Sequence, residues 1–158
     1  MDFNQFVQQV PLAEIPLVLS GELQKQLTSL ADPLPMPVIE DLMPWEATLD
    51  DMTEILVVAR FEQEEGFQAI LYWKAELLTY SFILATYDHK GEVIDHEIIA
   101  GTEYNNQSIK ESVAIIEDDW MIFAAEGSDQ IRGDLSFEAK NSRKSNFMVE
   151  KDGRITKI

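Results

Sequence analysis

The stretch "YSFILATYDHKGEVIDHEIIAG", residues 80–101, decides how this chain folds. Two apolar runs flank Asp88-His89-Lys90-Gly91, and Asp at the first position of a tight turn with Gly at the fourth is the chemistry of a type I turn closed by a left-handed glycine. The runs themselves are rich in β-branched and aromatic residues, so they read as two antiparallel strands of one hairpin. Both histidines of the chain also lie here, among Asp88, Glu92, Asp95 and Glu97, which invites a metal-binding or acid–base reading. The hairpin argues against it. His89 falls at the turn tip, and His96 lies five residues past Gly91 on a strand rising about 3.4 Å per residue, which sets the imidazoles on the order of 15–20 Å apart. His96 shares its parity with Ile94 and Ile98, so it is expected to be a partly buried, hydrogen-bonded structural histidine. No metal, cofactor or catalytic residue is assigned.

The same rhythm extends on both sides of the hairpin. From Thr53 onward, short β-rich runs are separated by turn residues roughly every ten positions, as in an antiparallel meander. Strands are predicted near 54–61, 67–73, 78–87, 92–100, 109–116, 120–125, 131–139 and 146–150, with a short tail strand at 154–158. "EKDGRI", residues 150–155, repeats the hairpin chemistry with Asp-Gly in the turn. Runs such as "ILVVARF" and "SFILAT" are apolar on both parities, so both faces of the sheet should be covered over part of its area.

Ahead of the strands the apolar period lengthens. Phe3, Phe6, Val7 and Val10 recur at helical spacing until Pro11, and Leu23, Leu27 and Leu30 form a stripe on a second helix that Ser20 can cap. Pro33, Pro35 and Pro37 stand at every second position, which predicts an extended connector. Their P-x-P-x-P spacing is not the P-x-x-P that aromatic grooves read. Helices first and strands afterwards argue for a single α+β domain over 1–158. It should contain a helical segment 1–31, a Pro-containing extended connector 32–52 and a mainly β meander 53–158. The expected sheet has about eight strands, is strongly curled towards a barrel or a sandwich, and carries two short N-terminal helices packed on it.

"FNQFVQQVPLAEIPL" (residues 3–17), the hairpin "YDHKGEVID" and the closing "FMVEKDGRITKI" (residues 147–158) together make the chain similar to a group of small uncharacterised bacterial proteins. Those proteins have a Phe-x-x-Phe start, a Leu-Pro segment and a YDxxGxxID hairpin. The resemblance implies the fold and no catalytic motif. Many of the group look secreted or lipid-anchored, whereas "MDFNQFVQQVPL" has neither a basic leader nor a long apolar run. The sequence as it stands is therefore expected to be soluble and cytoplasmic, or periplasmic or surface-located if a leader once preceded it.

Charge limits the partners. With 29 acidic and 12 basic residues the net charge is −17, which opposes nucleic acid and anionic membranes and favours a basic protein. The longest apolar runs fall far short of the ~20 residues a membrane helix needs. Zero cysteines exclude disulfides and thiol catalysis. No Gly-x-Ser-x-Gly, phosphate-binding glycine loop, His-Glu-x-x-His or calcium-loop pattern occurs.

In an up-and-down meander alternate turns emerge at one end, so Glu62, Glu64, Glu65, Asp88, Glu117, Asp118 and Asp119 should share a rim. Lys140, Arg143 and Lys144, read as a strand connection, should neutralise one side of it, while Glu14 and Glu22 should lie away from it. The favoured function is a non-enzymatic protein-binding module, of the immunity or inhibitor type, for a basic partner. Two alternatives stand beside it: a structural or envelope-associated β protein whose acidic rim serves only solubility, and a hydrolase using a carboxylate pair.

Overall fold

The computed structural model describes residues 1–30, 32–46, 49–130 and 143–158, without the side chains of Thr28, Leu30, Asp129 and Gln130. Among the described residues three helices and nine strands follow one another: α1 (Phe3–Gln9), β1 (Leu17–Leu19), α2 (Gly21–Leu30), α3 (Met36–Leu42), a 3-10 turn (Pro44–Glu46), β2 (Glu54–Arg60), β3 (Gln68–Ala75), β4 (Thr79–Tyr87), β5 (Val93–Tyr104), β6 (Ser108–Ile116), β7 (Met121–Gln130), β8 (Arg143–Val149) and β9 (Ile155–Lys157). Strands β2 to β9 are hydrogen-bonded in sequence order, every pair antiparallel. The α+β meander read from the sequence is therefore the fold, and its sheet is curled without closing. The strand expected over 131–139 lies outside the described residues.

Curling depends on β5. Its last residues, Gly101 to Tyr104, pair with β6, but the rest of it does not, and β1 takes the vacated place along β6 through Leu17↔Ile116, Val18↔Ile115 and Leu19↔Ala114. Traced back from Gly101, β5 crosses the inner face of the second half of the sheet. Glu97 to Ala100 face Ser112, Ala124, Ser145, Phe147 and Lys157 across a cleft of about 180 Å³. Further on, Asp95 Oδ2 accepts the Ile155 N–H at 2.8 Å, and Thr86 Oγ1 donates to the Gly153 carbonyl at 2.5 Å, which ties β9 to β4 and β5. Strands that switch partners at a bend in this way make the corners of orthogonally packed sheets.

The double-parity apolar runs have two destinations. On β3 and β4, Leu71, Trp73, Phe82 and Leu84 point into a core shared with Ile116, Ile122, Phe147 and Val149, so the two halves of the sheet face one another. Their neighbours Ile70, Tyr72, Ile83, Ala85 and Tyr87 point the other way, under α1 and α3, with Val7, Ile39, Leu42 and Met43. Leu27 of α2 is buried in the first core, and Leu23 packs against it.

The connector expected to be extended over 32–52 is not. Pro35 caps α3 and Pro37 falls within its first turn, where a missing N–H removes no helical hydrogen bond and the fixed φ suits the helix. A third helix thus joins the two predicted, and Lys74 holds the 3-10 turn down through Glu46 at 2.8 Å. Tyr87 Oη donates to the Leu42 carbonyl at 2.8 Å, leaving its oxygen to accept from Tyr72 Oη at 2.9 Å, so the C-terminus of α3 is pinned to the sheet by two buried phenols.

Burial raises the pKa of both phenols, and at Tyr72 the neighbouring Tyr87 raises it further. A group whose folded pKa lies above its unfolded value contributes stability that is intact below the unfolded pKa and lost as pH rises through the folded one. Stability should therefore fall above pH 10, the ordinary phenol value, with the absorbance of these two tyrosinates appearing only as the protein unfolds. Tyr87→Phe should cost about 1–3 kcal/mol at neutral pH, because it leaves the Leu42 carbonyl and Tyr72 Oη short of a partner. The chain has four tyrosines, so absorbance of more than two tyrosinates ahead of the loss of circular dichroism would contradict this.

Candidate functional site

Four turns meet at one end of the meander: 61–67, 88–92, 117–120 and 150–154. Three of them have the same frame. In Asp88–Gly91, Glu117–Trp120 and Glu150–Gly153 the fourth residue donates its N–H to the first residue's carbonyl, and that fourth residue has a positive φ of 89°, 63° and 92° respectively. Asp88 Oδ1 accepts from the backbone of Lys90 and Glu92, Asp119 Oδ1 from Met121, and Asp152 Oδ1 from Arg154. The Glu92 N–H, with those of Lys90 and Gly91, holds the Asp88 carboxyl below the usual carboxylate range, so this charge builds its own turn.

The fourth turn, 61–67, touches the other three. Gln63 Nε2 and the Glu65 carbonyl bond His89 Nδ1 at 2.9 Å and Nε2 at 2.7 Å. A carbonyl can only accept, so Nε2 carries the proton and Nδ1 accepts from the amide. Trp120 Nε1 donates to Glu64 Oε1 at 3.0 Å, and its ring lies 5.3 Å from both Phe61 and Phe67. A Cβ on Gly66 would stand 2.3 Å from the Lys151 carbonyl, so the last turn packs directly against this one.

Trp120 divides the acidic end into two clefts. One, of about 1090 Å³, is lined by Glu64, Glu65, Phe67, Asp118, Asp119 and the 148–152 segment. The other, about 310 Å³, is lined by Ala13, Ile15, Phe61, Glu62, Glu117 and Asp118. Six of the seven carboxylates expected on a rim, namely Glu62, Glu64, Glu65, Glu117, Asp118 and Asp119, thus line clefts on either side of one indole. Asp88 lines neither cleft, and its turn meets 61–67 through His89.

Other expectations are corrected. Arg143 and Lys144 lie in β8, opposite Glu126 and Ala125 and well down the strand from the rim, because β8 pairs directly with β7. They do not neutralise the rim; Lys140 lies outside the described residues. The Arg154 guanidinium does so locally, binding Glu150 at 3.0 Å and Asp152 at 2.8 Å. Glu14 is not remote, since its neighbours Ala13 and Ile15 line the smaller cleft. His96 is exposed and stacks on Trp45 at 3.8 Å, because the register shift in β5 beside Val93 breaks the alternation that would have placed it with Ile94. Among the described residues no group of three or more His, Asp or Glu side chains could hold a metal ion, and no described helix is long and apolar enough to cross a membrane.

Trp120 is the residue that sequence reasoning missed. Aligning "EDDW" under "DHKG" and "EKDG" exposes it, because an indole stands where the turn calls for glycine. A left-handed φ at a non-glycine residue costs about 1–2 kcal/mol, so the packing of the indole must outweigh that strain. Trp120→Ala and Trp120→Gly should both destabilise through lost packing of a half-buried ring, by about 3 and about 2 kcal/mol respectively. The glycine variant should be the more stable of the two by about 1 kcal/mol, in denaturant titration, although glycine has fewer contacts than alanine. An alanine variant equal to or more stable than the glycine variant would show that this backbone is not held left-handed.

Comparison of the chain with protein-family models, with curated proteins and with solved structures found no match.

Proposed function

We propose that the protein acts by binding rather than by catalysis, with its acidic rim docking a basic protein in the manner of an inhibitor or immunity protein. The observation that carries this reading is the convergence of three turns on the 61–67 turn, with Trp120 packed against it and six carboxylates lining the clefts on either side of that indole. A chain of net charge −17 attracts a cationic surface over about one Debye length, ~10 Å at 0.1 M salt, and an aromatic side chain at the centre gives that surface something to pack against.

The test uses oligolysine as the probe and compares two charge reversals of equal size. Asp118→Lys with Asp119→Lys changes the rim; Glu54→Lys with Glu103→Lys changes exposed carboxylates at the far ends of β2 and β5. The rim reversal should slow association by roughly tenfold or more at low salt, and the distant pair by much less, with the difference closing as ionic strength rises. Equal effects from the two pairs would reduce the rim to a device for solubility.

A further inference from the structure

We infer that the docking surface continues from the rim onto the outer face of β1, β6, β7 and β8, and that its occupant is an apolar segment flanked by basic residues; the inference rests on the reading of the rim given above. Val18, Ile115 and Phe123 are 53%, 38% and 46% exposed. They stand side by side, because Val18 is opposite Ile115 and Ile115 is opposite Phe123 in the register, and directly opposed residues share a face. Met121 follows on the same face of β7 and is opposite Met148 of β8. Met148 also lines the larger acidic cleft with Trp120, Asp118 and Asp119, so apolar face and acidic rim form one surface. The two halves of the sheet differ here: α1 and α3 cover the outer face of β2 to β5, whereas this face keeps large apolar side chains in water.

Charge selects the occupant. The face is bordered at the rim by Glu117, Asp118 and Asp119, and a second copy would bring the same acidic border and another −17 against it. A segment with an apolar stripe and Lys or Arg beside it meets both features, as an amphipathic helix laid on an apolar surface does.

Two probes separate this inference from the reading beneath it: a synthetic leucine–lysine amphipathic helix and an oligolysine of equal charge, titrated into the full chain. The amphipathic peptide should bind about tenfold more tightly, a difference of about 1.4 kcal/mol. Ile115→Thr with Phe123→Thr should abolish that advantage while leaving oligolysine binding unchanged, threonine being chosen because it keeps strand preference. Val18→Thr, on the neighbouring strand, should reduce the advantage independently should the double variant fold poorly. Asp118→Lys with Asp119→Lys should weaken both probes. An advantage that survives the threonine variants, or two probes that bind alike, would overturn the apolar extension while leaving the rim in place. Failure of both probes to bind would overturn rim and extension together, and a dimer in sedimentation that Phe123→Thr dissociates would assign the face to a second copy instead.

Discussion

Gly101→Ala is expected to be among the most damaging single-methyl changes in the sheet, destabilising by about 3 kcal/mol and lowering the melting temperature by roughly 6–12 °C. A Cβ there would stand 2.2 Å from the Tyr80 carbonyl oxygen and 3.1 Å from the Ser81 Cα, both backbone atoms that cannot rotate away. Gly101 is also where β5 parts from β6, paired on one side with Ser81 and on the other with Ser112. Relief would require separating β4 from β5 or moving the corner, and either change disturbs Phe82, Ile99 and Ala100 in the shared core. Gly21→Ala is the internal comparison. Its Cβ would meet only Glu111 Oε1, the free end of a flexible side chain, at 3.0 Å, so the same substitution at the start of α2 should change stability by no more than about 0.5 kcal/mol. If the two variants melt together, the corner is not built on the close approach at Gly101.

What the sequence disclosed, and what it hid, divides along physical lines. Asp-x-x-Gly announces a turn because its geometry is local, and both hairpins read from it have the expected frame at Gly91 and Gly153. The double-parity runs of β2 and β4 announced a sheet covered on both faces, and each parity has its own core. Features set by distant contacts were not legible. The bulges of β5 changed which side His96 faces. Leu17 to Leu19 became a strand only because β5 leaves a place open beside β6. The prolines of "DPLPMPV" fit an extended chain or a helix start equally well, and burial of Ile39, Leu42 and Met43 against the sheet selects the helix. The acidic turns could be placed at one end by counting strands, but the order in which they touch, with 61–67 at the centre, comes from the curl of the sheet.

Leu27→Asp should be more damaging still, and its pH dependence shows why. Leu27 is 5% exposed and lies in the core that joins the two halves of the sheet, so α2 covers part of that core rather than ornamenting the surface. Loss of the isobutyl group alone, as in Leu27→Ala, should cost about 2–5 kcal/mol. An aspartate adds a charge among apolar neighbours, and at neutral pH the variant should lose several kcal/mol beyond alanine or fail to fold cooperatively. Burial of that carboxyl raises its folded pKa above the ordinary value near 3.9, so the folded state binds a proton more readily than the unfolded one. By linkage the penalty relative to the parent shrinks as pH falls through the raised folded pKa, and is smallest below about pH 4, where the group is neutral in both states. Leu27→Asn, polar but without a titratable proton, should show a penalty that does not change with pH over the same range. Three melting curves at each of several pH values, parent, Asp and Asn, therefore separate two causes. A pH-dependent excess for Asp over Asn places Leu27 in a dry core. Parallel curves for Asp and Asn would mean that water reaches the site and that α2 does not seal the sheet.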